Sequence, residues 1–165
     1  MTRPGFRAGA ALAAALCAAL LGWGFWLQYG RGEVPCPLCY IQRGFYLLVL
    51  AVLAVAALHG PRGGGRTAYG LLAALFAAGG AATAGRQVWL QSLPKDRVPA
   101  CGPDLFFMLD TLPLARVWQK LLQGSGECAE VGWSFLGLSI AAWSLACFLA
   151  LAAWSLWLAA ARRRR

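Results

Sequence analysis

CPLCYIQRGFYLLVLAVLAVAAL, residues 36–58, decides the fold. From Gly44 to Leu58 the stretch carries no charged side chain, and its apolar part, residues 40–58, is close to the roughly 20 residues needed to cross a bilayer. Hydrocarbon offers no water to backbone N–H and C=O groups, so such a segment must pair them internally as a helix. Three further runs have the same character, at residues 8–27, 68–90 and 133–161. The expected architecture is an all-α membrane protein: a four-transmembrane-helix bundle forming a single domain over residues 1–165.

Composition agrees with that reading. Apolar types make up 60% of the chain and charged residues only 13%, about half the usual quarter. A soluble enzyme, a disordered tail and a nucleic-acid-binding domain are excluded. The net charge of +9 does not reopen nucleic acid as a partner, because four of the fifteen basic residues are the terminal run Arg162 to Arg165 beside an apolar helix. The first run resembles a signal peptide in having Arg3 and Arg7 before an Ala-rich core, and Cys17 invites a lipoprotein reading. Apolar residues nevertheless continue through Trp23, Phe25 and Trp26 without a cleavage site, so an uncleaved span is expected.

Charge sets the orientation. Arg3, Arg7, Arg62, Arg66 and the terminal arginines have no acidic residue among them, whereas all six acids fall in or beside the other two connections. By the positive-inside rule both termini and the short turn near Arg62 are cytoplasmic, and loops 28–39 and 91–132 face outward. Four of the six cysteines lie in those outer loops: Cys36, Cys39, Cys101 and Cys128. Outside the cytoplasm thiols are oxidised, so these four are expected to form disulfides. Cys17 and Cys147 fall within spans, where a thiol behaves as a small buried hydrophobe, and neither is given a function.

A Cys-x-x-Cys pair serves zinc, haem attachment, structural crosslinks or redox exchange. Here it opens a helix, with Pro37 suited to the first turn, and the positive end of the helix dipole favours a thiolate. Arg43 follows Cys39 by four residues on the same face. At about 6 Å and an effective dielectric near 20, its guanidinium would stabilise a Cys39 thiolate by roughly 2 to 3 kcal/mol. An ionisable residue one turn inside a span is by default functional; the competing reading is an arginine that snorkels to the headgroups. Arg86, near the outer end of the third run, poses the same question.

The loop at 91–132 is longer than an ordinary connection without a role. Prolines at 99 and 103 flank Cys101 and predict an extended, exposed strip able to present one sulfur to another protein. Leu114, Val117, Trp118, Leu121 and Leu122 recur at helical spacing with polar residues between, which predicts a short amphipathic helix, either on the membrane surface or packed on the bundle.

Taken together, CPLCYIQR at 36–43, WLQSLP at 89–94, PACGP at 99–103 and CAEVGW at 128–133 resemble the disulfide-bond formation protein B (DsbB) family of bacterial inner-membrane thiol oxidases. The resemblance implies an electron relay. A reduced periplasmic DsbA-like thioredoxin-fold oxidase would attack a Cys101–Cys128 disulfide at Cys101, the freed Cys128 would attack Cys36, and Cys39, beside Arg43, would donate to ubiquinone or menaquinone. It implies a quinone site of Arg43, Arg86 and Gln87, with Tyr40, Tyr46, Trp26 and Trp89 as ring neighbours or as an interfacial belt. Some family members carry histidine where this chain has Gln87, which can hydrogen-bond a carbonyl but cannot change charge. A Cys101–Cys128 bridge would also stabilise the loop by roughly 3 to 4 kcal/mol, so a structural role competes. The alternatives are a quinone oxidoreductase like vitamin K epoxide reductase, a zinc-holding protein, or a membrane protein with two inert bridges; no metal is expected.

Overall fold

The computed structural model describes residues 5–98, 105–124 and 126–160. Four helices are long and apolar enough to cross a membrane: α1 (Phe6–Arg31), α2 (Pro37–His59), α3 (Gly64–Gln91) and, at the end of the chain, α6 (Ile140–Ala160). Between α3 and α6 come a 3₁₀ turn (Lys95–Arg97), α4 (Leu105–Thr111), α5 (Leu114–Gln123), a second 3₁₀ turn (Gly126–Cys128) and a hairpin of β1 (Ser134–Phe135) and β2 (Leu138–Ser139). The four-span bundle expected from hydropathy is the observed fold.

Helix α1 packs on α2, α2 on α3 and α3 on α6, while α1 and α6 touch only lightly. The core between them is built from Cys17, Leu21, Tyr46, Val49, Leu53, Ala73, Ala77, Phe148 and Leu151. Leucines such as Leu12, Leu47, Leu58, Leu75 and Leu149 point outward instead. An apolar exterior around a small-residue interior is the arrangement a lipid environment favours, since close backbone approach rather than water exclusion holds such helices together.

Gly80 shows how close that approach is. A Cβ at this position would lie 2.3 Å from Cε1 and 2.4 Å from Cζ of Phe148, whose ring is fully buried and stacks on Tyr46 with centroids 4.0 Å apart. Gly80→Ala therefore forces Phe148 off its rotamer and is expected to destabilise the bundle by about 1 to 3 kcal/mol. Thermal unfolding in detergent checks this, with Gly85→Ala as the control, because the nearest atom there is Leu145 Cδ1 at 3.9 Å.

The span boundaries differ from hydropathy. Helices α1, α2 and α3 run past the expected 8–27, 40–58 and 68–90, so Cys39 lies inside the first turn of α2 rather than in a loop. The fourth span begins at Ile140, not at residue 133. Residues 134–139 turn back as a hairpin because Leu136 and Gly137 both take positive φ (53° and 78°), a conformation no right-handed helix contains and one that suits a tight hairpin turn. Ser139 then caps α6, its Oγ accepting from Ala142 N at 3.3 Å. Helix α4 has no counterpart among the elements read from periodicity.

The amphipathic helix is present as α5. Its Val117 is buried against Met108, with Ile41 of α2 packed alongside, so part of this helix sits on the bundle; Leu114 is 68% exposed.

Candidate active site

Cys36 is the N-cap of α2 and Pro37 its first residue; the Cys36 carbonyl accepts from Cys39 N at 2.9 Å and from Tyr40 N at 3.3 Å. That first turn points both sulfurs the same way, and they meet at 3.0 Å. A bond between them can form or open with little more than side-chain rotation.

The third sulfur arrives from the other loop. After α5 the chain turns at Gly124, where φ is +76° and a Cβ would stand 2.4 Å from Leu90 Cδ1, so only glycine lets this turn lie against α3. The 3₁₀ turn that follows buries Cys128 completely beside Cys36, Leu38 and Leu90. Cys36 is held well above the ordinary thiol range, first by its hydrogen bond with Cys128, then by that with Cys39, and by burial. Cys36 therefore sits between two sulfur partners. Cys101 lies outside the described residues. Among the described residues, no three His, Cys, Asp or Glu side chains are grouped to hold a metal ion.

Two glutamines complete the polar lining, each 5% exposed. Gln87 of α3 donates from Nε2 to Cys36 Sγ at 3.4 Å and to Cys39 Sγ at 3.6 Å. Gln42 of α2 donates from Nε2 to Gln87 Oε1 at 2.7 Å. Oε1 of Gln87 also lies 3.7 Å from Cys39 Sγ, within reach of its S–H. Gln42 was not among the residues singled out in sequence. Its signal was present, since it follows Cys39 by three positions and so shares its helical face.

Arg43 behaves differently from the expectation. Its guanidinium reaches across to α1, donating from Nη2 to Gly24 O at 2.9 Å and from Nη1 to Gln28 Oε1, with Phe25 beneath it at 4.9 Å. Sharing a helical face with Cys39 fixes where the Cα lies, but the long side chain is drawn to the carbonyls of the neighbouring helix. Arg43, Cys36, Cys39, Gln42 and Gln87 nevertheless line one cavity of about 520 Å³, which extends along α6 to Trp143 and Ser144 and has Glu33, Glu127 and Glu130 among its walls.

Arg86 does not line that cavity; its guanidinium lies over the Trp89 ring at 4.2 Å. Of the four aromatic residues named from sequence, only Tyr46 is on the cavity wall. Trp26 stacks on Trp23 at 4.9 Å and Trp89 is half exposed, as in an interfacial belt. Trp133 and Trp143 line it instead, and Cys147 joins them, whereas Cys17 is buried in the core.

Comparison with known proteins gives this geometry its context. Residues 6–158 match the family described as Disulfide bond formation protein DsbB. A protein named Disulfide bond formation protein B from Hahella chejuensis is 52% identical over 132 residues, covering 80% of each chain. One of the same name from Chromobacterium violaceum is 46% identical over 158 residues, covering 96% of this chain and 95% of its own, and one from Methylococcus capsulatus is 47% identical over 156 residues, covering 94% and 95%. No solved structure matches. With four membrane-spanning helices, a matching family over nearly its whole length and relatives aligned almost end to end, this chain belongs to the disulfide bond formation protein DsbB family.

Proposed function

We propose that the protein is a quinone-dependent protein-disulfide oxidoreductase of the bacterial inner membrane that reoxidises a periplasmic DsbA-like thiol oxidase. The observation carrying this reading is the contact of Cys128 and Cys39 with the same sulfur, Cys36, at the wall of one cavity.

In this reading a thiolate of the reduced partner attacks Cys101, forming a mixed disulfide and releasing Cys128 as thiolate. Cys128 attacks Cys36, forming a Cys36–Cys128 bond and releasing Cys39 as thiolate. The partner's second thiol attacks the mixed disulfide, so the partner leaves oxidised and Cys101 is freed. Cys101 then attacks Cys128, restoring the outer disulfide and leaving Cys36 and Cys39 as the reduced pair. Two electrons have moved from partner to inner pair. The positive-inside count supports placing the loops in the periplasm and both termini in the cytoplasm.

The cavity suits a quinone ring: its volume of about 520 Å³ is that of a small-molecule site, and its walls are mostly apolar with a few polar side chains, Gln42, Arg43 and Gln87 among them. Ubiquinone or menaquinone, when bound, supplies a two-electron, two-proton acceptor. Arg43 and Gln87 would hold its carbonyl, and Tyr46 and Trp143, which line the same cavity, would flank the ring. Arg86, stacked on Trp89, anchors the outer end of α3 in this reading.

The test is a spectrophotometric assay of quinone reduction by purified protein with a reduced DsbA-like partner; no reduction with either quinone would refute the proposal. In the same assay Arg43→Ala is expected to raise the quinone concentration needed for half-maximal rate by about tenfold, the size of one charge-assisted hydrogen bond, with partner binding little changed. Equal losses in both would instead show that the tie from α2 to α1 had failed.

A further inference from the structure

Gln42 makes its hydrogen bond at 2.7 Å to the one atom of Gln87 whose position settles which edge of that amide faces the sulfurs. An amide is two-sided: its NH₂ edge donates and favours a sulfur anion, while its oxygen edge accepts and favours the neutral thiol. Turning the Gln87 amide by half a rotation would exchange these edges with almost no change in shape. Both side chains are more than nine-tenths buried, so no bulk water is present to compensate for a wrong choice. With Oε1 held by Gln42, Nε2 is turned toward Cys36 and Cys39, at 3.4 and 3.6 Å, while Oε1 itself stands 3.7 Å from Cys39 Sγ.

We propose that Gln42 is a positioning residue, holding the Gln87 amide with its NH₂ edge against the inner cysteine pair so that the sulfur anion released during exchange is stabilised. This rests on the proposed function, in which the pair passes through a thiolate. It assigns Gln87 a partner in the protein itself, whether or not it also meets the acceptor.

The experiment is the pH dependence of iodoacetamide labelling at Cys36 and Cys39 in the reduced full-length protein, read by peptide mass spectrometry. Gln42→Met and Gln87→Met change no charge, so Arg43, Glu33, Glu127 and Glu130 around the cavity, and Cys128 beside Cys36, keep their fields. Each substitution is expected to move the labelling midpoint up by about one pH unit, a tenfold loss of thiolate below it, and the double variant to move it no further. An unchanged midpoint in Gln42→Met, or shifts that add in the double variant, overturns the proposal. Should the apolar variants fail to fold, the side-chain NH₂ resonances of Gln87 in the unaltered protein decide: they track the thiolate titration if Nε2 faces the sulfurs, and an unmoved signal overturns the proposal. Absence of quinone reduction in the unaltered protein would refute the function while leaving the labelling result readable.

Discussion

Cys39→Ser is expected to reduce quinone no faster than background, the largest loss of any single substitution. Serine cannot form the inner disulfide, and its hydroxyl does not ionise at neutral pH, so the pair loses both its oxidised form and its electron-rich one. The geometry predicts what accumulates. Cys36 retains Cys128 as its neighbour, both buried in one cluster, and with no disulfide to Cys39 it can attack Cys128 in the outer bridge. The product is a Cys36–Cys128 bond with Cys101 freed as a thiol, which non-reducing peptide mapping reads directly. Retained turnover in Cys39→Ser would show that another group donates the electrons.

Cys101→Ser should stop a different step. In the proposed relay the partner attacks at Cys101, so without it partner-driven quinone reduction is expected to fall to background. The inner pair keeps its polar lining, since Gln42 and Gln87 come from α2 and α3. A pair reduced chemically with a small dithiol should therefore still be reoxidised by added quinone in a single turnover, seen as loss of two alkylatable thiols. Turnover with the protein partner in Cys101→Ser would mean that electrons enter elsewhere, with Cys36 as the candidate. Loss of both reactions would point to a structural bridge, the competing reading of the outer cysteines.

Much of the site could be read along the chain because its parts are neighbours in sequence. Cys36, Pro37 and Cys39 form one helical turn, and the start of α2 places their sulfurs together whatever the rest of the protein does. Gln42 belongs to the same face and was legible on the same grounds. The hairpin at 134–139 was concealed because Phe135, Leu136 and Leu138 are as apolar as the span they precede, so hydropathy alone does not mark where the helix starts. The positive φ of Leu136 is the feature that ends the apparent run, and leucine carries no sign of it in sequence.

Arg43 marks the dividing line. Its place four residues after Cys39 follows from helical periodicity, yet its hydrogen bonds go to α1, fifteen and nineteen residues away. What the chain determined by itself was the number of spans and a cysteine pair at a helix start, because each depends on local hydropathy or on residues within a turn. Only the tertiary structure decided that Gln87 meets Gln42 across 45 residues, that Cys128 is buried against Cys36, and that a cavity opens along the lightly packed side between α1 and α6. Those contacts depend on how each helix is rotated about its axis and where the loop folds back, and both are set by packing between segments distant in sequence.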